Sequence, residues 1–584
     1  MAIKRRKLWI WVASIIGVLI LILGIAAIYI SAKWKPILTT KIKEGVYEAS
    51  KHLYKVDFTD IHLNLLTGGV VLDNIVLTPD SNIYQKLKLA KKAPAHLFRI
   101  KLPHLRLSRV GIWNAYFDKK ITMNSIVLDH PSIDMIYSKV PKRTDTVKDE
   151  RTLYQQLSKS LRSIRINTIS IVDADFDYYN GTKRLNAVKH LTVNVKNILV
   201  DSLSQFDSTR VFYSKDISFA MSGYQSLTKD KMYNLKVDTV RGSIGKKTVV
   251  VKGLKFIPMY PDLTFSRKYK VQKDRYDLSF SEITLTGVDF IGLNDDGDLR
   301  AKRIKIGPAK VAVFMNRELA VPNFDKGKNY PHNALKRLPI PTIVDTLSLS
   351  KVDIAYTEYN PKSKERGTLR LENLTGNVLN LTNDSLRLTK NNHAIANLTT
   401  YIMGTGKMNV KIDFNLTAPN APFTYVGEIG AFNMKVLNPL SKSLGDVEIE
   451  SGTIQSASFA ISANQYNSKG VVKLYYNNLK VNLLKEGDDG QKEKKGLLSF
   501  IANTVLIRDD NPTKGEPART ANVSFQRLPQ GSFFNLMWKS VFVGIREIVG
   551  IGIVPMKGAP NAKNDKKEER RKKRAARKAA RAKA

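Results

Sequence analysis

Beyond residue 57 the chain alternates apolar and polar positions in short runs, each closed by Gly, Pro, Asn or Asp. His62 to Leu77 (HLNLLTGGVVLDNIVL) does so on either side of Gly68 and Gly69. The period of two returns over Phe98 to Val110, Ile121 to Tyr137, Ile166 to Tyr178, Leu191 to Val200, Tyr276 to Phe290, Leu347 to Tyr356 and Leu369 to Leu381. Such a period sends successive side chains to opposite faces, so these segments are predicted to be half-buried β-strands. Three of them share a longer form: ITMNSIVLDHPSIDMIY from Ile121, INTISIVDADFDYY from Ile166 and IVDTLSLSKVDIAY from Ile343. In each, apolar-x-apolar is followed by a short polar break and a second apolar-x-apolar, as in a strand that crosses a bend and continues. No fixed period links the three, which argues against a propeller or a familiar solenoid.

Helical spacing is confined to a few places. Lys35 to Lys55 sets Ile37, Ile42, Val46 and Leu53 among Lys and Glu, Asp149 to Arg162 reads DERTLYQQLSKSLR, and Phe432 to Leu444 predicts another short helix. Ser532 to Gly550 (SFFNLMWKSVFVGIREIVG) carries Phe533, Leu536, Met537, Val541, Ile545, Ile548 and Val549 in a broad apolar stripe. That helix either caps the open end of a sheet or lies in a membrane interface. Polar, turn-rich linkers fall at Pro261 to Asp274, Asn316 to Pro341, Gly487 to Lys495 and Asp509 to Thr520.

The N-terminus breaks both patterns. Leu8 to Ile30 holds no charge, and its 23 residues make about 35 Å of helix, enough to cross a bilayer. The run is longer than the apolar core of a secretory signal and lacks a small-x-small site after it, so it reads as a retained anchor. Lys4, Arg5, Arg6 and Lys7 precede it and place the N-terminus in the cytoplasm. The only other apolar stretch of note, Val541 to Pro555, is short and contains Arg546 and Glu547. The predicted organisation is a basic start (1–7), a transmembrane helix (8–30), an amphipathic connecting helix (31–56), a β domain (57–530), an amphipathic helix (531–556) and a basic tail (557–584). The fold class is mainly β: one membrane helix, then an elongated antiparallel sheet with few short helices.

Charge and composition narrow the function. The net charge is +42, of which the twelve Lys and Arg between Lys563 and Lys583, against Asp565, Glu568 and Glu569, supply +9. The remainder is a diffuse positive field suited to anionic headgroups or other polyanions. Nucleic acid is excluded as a partner by place, since the body lies outside the cytoplasm. The absence of cysteine removes disulfides, thiolate metal sites and cysteine nucleophiles, and in a chain of this topology suggests a bacterial periplasm. The eight histidines form no HExxH and no helix-face pair, so no metal is expected. Gly242 to Thr248 (GSIGKKT) is too short for a phosphate loop, GxSxG is absent, and Asn294 to Asp298 (NDDGD) misses the calcium-loop spacing. No cofactor is called for, and the chain is not expected to be an enzyme.

These features resemble the AsmA-like proteins of Gram-negative envelopes, which include TamB-like and YhdP-like members. The resemblance rests on the basic start with its single span, on Tyr54 to Pro79 (YKVDFTDIHLNLLTGGVVLDNIVLTP) and on the Asp129-His130-Pro131 break. Gly452 to Leu484 looks like the family's C-terminal module, and Ser532 to Gly550 resembles the terminal helix of Bacteroidetes-type members. It implies a single-pass inner-membrane protein whose periplasmic sheet folds lengthwise into a U-shaped groove for lipids bound for the outer membrane. Partners would then be a phospholipid or other envelope lipid, the inner membrane and an outer-membrane assembly partner. Candidate groove residues are Ile126, Leu128, Ile133, Ile169, Ile171, Phe176, Leu347, Leu349 and Ile354. Candidate membrane or partner docking residues are Phe533, Phe534, Trp538 and Phe542. Alternation alone does not separate an open groove from a filled core, which leaves a scaffold or regulator of outer-membrane assembly as the alternative.

Overall fold

The computed structural model describes residues 35–550, apart from 65–66, 112–113, 115–116, 140–153, 156–160, 208, 212, 296, 487–491 and 495–506. The predicted span Leu8–Ile30, the basic start, the tail and most of the Asp149–Arg162 helix lie outside the described residues. No helix among the described residues is long and apolar enough to cross a membrane. The chain is mainly β, at 56% strand and 19% helix. It forms two compact units, one comprising residues up to Met259 with Leu278–Ala309, the other Tyr260–Asp277 with residues from Lys310 onward.

The first unit is built from β1 (Tyr54–Asp57), β2 (Asp60–Asn64), β3 (Gly69–Pro79), β4 (His96–Ser108), β5 (Lys120–Asp129), β6 (Ser132–Tyr137), β7 (Ser163–Asn180), β8 (Lys183–Val200), β9 (Asp216–Leu227), β10 (Tyr233–Ser243), β11 (Thr248–Pro258), most of β12 (Arg275–Thr286) and β13 (Leu299–Ile306). The second holds β14 (Ala309–Asn316), β15 (Thr342–Asn360), β16 (Glu365–Thr382), β17 (His393–Ile402), β18 (Gly406–Asn415), β19 (Phe423–Ile429), β20 (Phe432–Asn433), β21 (Val447–Ala463), β22 (Asn467–Glu486), β23 (Lys492–Lys494) and β24 (Thr520–Gln526). Helices are short: α1 over 35–49, α2 (Ser81–Leu89), α3 (Asp262–Lys268), α4 (Phe290–Asp295), α5 (Pro331–Lys336), α6 (Ser385–Lys390), α7 (Asn438–Gly445) and α8 (Phe533–Val549).

The predicted strand segments lie on strands, except that Tyr276 to Phe290 runs past the end of β12 at Thr286 to the first residue of α4, and three further expectations need correction. The connecting helix stops near residue 49, because Lys51 and His52 take positive φ and β1 begins at Tyr54. The linker Pro261 to Asp274 contains α3, and Asn316 to Pro341 contains α5. Pairing is not wholly antiparallel: β7 runs parallel to both β5 and β6, with Ile126 beside Ile169 and Ile133 beside Phe176. A parallel neighbour needs a chain return from one end of the strand to the other, and the long segment between Tyr137 and Ser163 supplies the length.

The bend read from the three related segments is real and local. His130, Asp173 and Lys351, at the break of each, have φ of 51, 55 and 54°. In the first unit, Asn74, His130, Asp173, His190, Gly223 and Gly253 all take positive φ at neighbouring register positions, on β3, between β5 and β6, and on β7, β8, β9 and β11, so the irregularity forms a line across the sheet that β4 and β10 cross without one. A bulge of this kind adds a residue, kinks the strand and re-aims the side chains beyond it. At Gly253 glycine suits the position twice over, since φ is 63° and a Cβ would also crowd the Asp238 side chain.

The second unit has a filled core. Tyr330, Phe423, Tyr425, Ile461, Val472, Leu474 and Leu536 are almost fully buried, and α8 closes over β22 and β24. Ser532 caps α8 by accepting from the Asn535 amide, and Gly550 ends it in the left-handed region at φ 84°. Gly544 lets the helix sit directly on Val472, whose Cβ would lie 2.7 Å from an added methyl. This packing makes stability sensitive at two positions. Leu536→Ala, at a fully buried site, should cost about 2–5 kcal/mol, read from the urea midpoint followed by the fluorescence of Trp538. His332 is buried among Phe414 and Phe423, its Nε2 bonded to the Ala421 carbonyl at 2.9 Å, and burial pushes its pKa below the ordinary 6.5. Its neutral form suits the fold, so stability is full above pH 6.5 and falls as pH drops below that value, where the unfolded chain takes up the proton first. His332→Gln should flatten that decline; an unchanged slope would assign the acid sensitivity elsewhere.

Candidate functional site

Cross-strand register decides which side chains share a face. Across the first unit, Leu105, Leu128, Ile171, Val193, Phe219, Gly242, Val249, Leu285 and Ile304 are successive partners from β4 to β13. Alongside run Leu107, Ile126, Ile169, Val195 and Ile217, and, further along, Met221, Val240, Val251, Ile283 and Ile306. Beyond the bend, Ile100, Ile133, Phe176 and Val188 form another row. One residue out of phase, on the opposite face, the partners are Arg106, Val127, Ser170, Asn194, Ser218, Ser243, Thr248, Thr286 and Arg303. Along these rows the sheet is apolar on one side and mainly polar on the other.

An apolar face of this extent normally disappears under a second layer. Here it does not. Leu128, Ile171, Val193, Phe219, Val249, Leu285 and Ile304 are all half-buried, neither sealed in a core nor fully open. The buried clusters of the first unit lie at its start, around Val56, Ile61, Leu72, Ile75 and Leu102 and around Leu53, Tyr84, Ala93 and Leu97. Among the described residues no buried apolar cluster covers the rows from β7 to β13.

In the second unit an apolar row runs Leu347, Val378, Ala396, Ile412, Tyr425 and Ile461. It starts half-buried at Leu347 and passes into the core, where Tyr425 is 1% and Ile461 2% exposed. Leu349 and Ile354 are half-buried opposite Gly376 and Leu371. Of the nine groove candidates, Ile126, Leu128, Ile169 and Ile171 are brought together on one face, Ile133 and Phe176 pair beyond the bend, and the three on β15 belong to the second unit. Of the docking candidates, Phe533 is a core residue, ringed by Tyr330, Phe414 and Phe423 at 5.1–5.9 Å between centroids, and cannot serve as a surface anchor. Phe534 is half-exposed; Trp538 and Phe542 are half-buried with rings 5.7 Å apart.

The bend is held from the polar side by histidines and aspartates. Asp73 bridges His62 (3.2 Å) and His104 (2.7 Å), and Asp173 bridges His130 (3.4 Å) and His190 (2.7 Å). Asp129 takes both His130, at 2.8 Å, and Arg106. These histidines are exposed, so each contact is worth little in free energy. No group of three or more His, Asp or Glu among the described residues is arranged to hold a metal ion.

Alternation in the sequence did not single out β9 to β11 or β17 to β19, whose Phe219, Val249 and Val251 complete the apolar face. The signal was present in TVVVKGLKFIP, but Gly253 interrupts the alternation at the bend. Compared against protein-family models, curated proteins and solved structures, the chain matches none of them.

A cysteine-free chain allows a direct test of access to this face. Ile171→Cys and Val251→Cys should react with a water-soluble maleimide in the folded protein within minutes. Leu474→Cys, at a fully buried position, should react only in denaturant. Equal protection at all three positions would mean that the first unit is sealed.

Proposed function

We propose that this chain is a membrane-tethered, extracytoplasmic protein of the AsmA-like kind, whose sheet folds on its bend into a groove that holds lipid acyl chains. It would serve lipid transport between the inner and outer membranes and so outer-membrane biogenesis. The observation that carries this reading is the continuous, half-exposed apolar face from β4 to β13, backed by a polar face one residue out of phase. With strands about 4.8 Å apart, that face is roughly 40 Å wide across the strands. Lipid would gain about 0.8 kcal/mol for each methylene moved out of water, with no single residue dominant. No step of bond chemistry is required, and the reading is of a carrier, not an enzyme. The run Leu8–Ile30 would provide the tether, with the N-terminus cytoplasmic and the body periplasmic.

A scaffold or regulator of outer-membrane assembly without cargo is the second reading, favoured by the filled core of the second unit. Mass spectrometry of small molecules extracted from the full chain, purified in mild detergent and gel-filtered, separates the two. Stoichiometric phospholipid or another envelope lipid is expected, and Ile171→Asp or Leu285→Asp should reduce it severalfold with the circular-dichroism spectrum unchanged. A lipid-free, stable wild type would establish the scaffold reading.

A further inference from the structure

The β2–β3, β4–β5, β8–β9, β10–β11 and β12–β13 connections of the first unit all leave the sheet at the same end, as the register from Val70 and Leu107 across to Thr286 and Arg303 fixes. Two of the most exposed large apolar side chains of the described residues stand on this rim, Leu203 at 75% and Phe206 at 78%. The Phe206 amide donates to the Leu203 carbonyl at 3.0 Å in a single 3-10 turn, where side chains three apart eclipse, so the two lie side by side. Their loop is firmly bonded. Asp201 accepts from the Leu203 and Ser204 amides at 3.0 and 2.7 Å, and Asp207 accepts from the Thr209 amide at 3.0 Å and pairs with Arg210 at 3.1 Å and Lys215 at 3.2 Å. On the neighbouring connections Phe117, Ile291 and Leu293 are exposed too, as are Lys119, Lys120, Lys246 and Lys247.

Exposure alone does not choose this rim, because the opposite one exposes Leu89, Leu185, Leu227 and Met259. The route of the chain does. Helix α1 begins with Lys35 paired to Asp60, passes Lys43 paired to Asp57 at 2.7 Å, and is followed by Ser50, whose hydroxyl accepts from the Tyr54 amide at 3.0 Å. It therefore runs alongside β1 and β2 in the opposite direction, with Leu38, Ile42 and Val46 packed on the cluster around Val56 and Ile61. Its start points toward the rim at Gly68. From Asp60 to the end of β2 at Asn64 is about 13 Å along the strand. The step from Ile30, where the apolar run ends, to Lys35 covers at most about 18 Å, so this rim is within reach of the end of the run. The opposite rim lies beyond the far end of α1, about 20 Å further on.

We propose that this rim rests on the bilayer that Leu8–Ile30 enters, with Leu203 and Phe206 inserted among the lipids and Lys119, Lys120, Lys246 and Lys247 on anionic headgroups. This inference rests on the reading of Leu8–Ile30 as a tether and adds to it a second contact with the same membrane. Apolar side chains at the acyl boundary with lysines at headgroup level are the combination that an anionic interface takes up. Two apolar side chains and four lysines bind such a surface weakly by themselves. The tether makes their binding intramolecular, so the contact orients the first unit on the membrane and leaves anchoring to the span.

The test reconstitutes the full chain in vesicles of phosphatidylcholine and phosphatidylglycerol that contain a lipid spin-labelled near its headgroup. Phe206→Cys, and Leu227→Cys on the opposite rim, each give this cysteine-free chain one site for an environment-sensitive fluorophore. The spin label should lower emission from position 206 about twofold or more and leave that from position 227 unchanged. Lys246→Glu with Lys247→Glu, added to Phe206→Cys, should lessen the quenching, and circular dichroism checks that each variant is folded; undiminished quenching would remove these lysines from the site. If the chain resists carbonate extraction but position 206 is not quenched, or both positions are quenched alike, the rim assignment is wrong and the tether stands. A blue shift at position 206 without quenching would assign the loop to a contact between copies of the chain and overturn the membrane assignment. If carbonate extracts the chain, the tether reading itself fails.

Discussion

The structure turns on one constraint: a sheet with an apolar face must cover that face or use it. Burying it under helices is the usual solution. The first unit has its apolar rows aligned by register from β4 to β13, with polar rows behind, and no helix layer over β7 to β13 among the described residues. Its stability therefore comes from the strand ladders, from the small clusters at its start and from whatever part of the face the bend turns inward. The second unit meets the same constraint in the opposite way, with α8 laid on β22 and β24 and a dense aromatic group around Tyr330, Phe423 and Phe533.

The bend makes a long strand usable in a sheet that must change direction. A positive-φ residue on one strand would be a local defect; on most strands of a sheet at neighbouring positions it becomes a crease. Residue choice follows from conformation. Asp, Asn and His tolerate the left-handed region better than most side chains, and here their polar ends find partners on the outer face: Asp173 with His190, and His130 with Asp129. Where an acidic side chain crowds the crease, as Asp238 does, glycine at position 253 leaves it room. Four of the eight histidines, His62, His104, His130 and His190, are thereby accounted for as parts of the crease.

Buried charge in the second unit sits differently. Glu358 with Arg317, and Asp274 with Lys326, are paired as buried ions must be, and such pairs add little net stability against an apolar substitute. Their placement on a strand that elsewhere carries Leu347 and Ile354 is a local departure from the alternating pattern, and departures of that kind concentrate where a protein does something other than fold.

Much of the fold was legible in the sequence because period-two alternation is a local property. Strand identity, the breaks at Asp129-His130-Pro131 and Asp173, and the limits of α8, from the Ser532 cap to Gly550, could all be read from neighbouring residues. So could the shared face of Ile169 and Ile171, two positions apart on one strand. Tertiary structure alone decided that β7 runs parallel to β5 and β6, since pairing direction depends on where the chain returns and not on side-chain pattern. It decided, too, that Phe533 is core whereas Phe534, its neighbour in the same stripe, is half-exposed. Above all it decided that the apolar face of the first unit is left half-open and that of the second is sealed. Alternation states that a side chain faces inward; the groups it meets there belong to elements far along the chain, as the Tyr425 hydroxyl donates to the Met537 carbonyl.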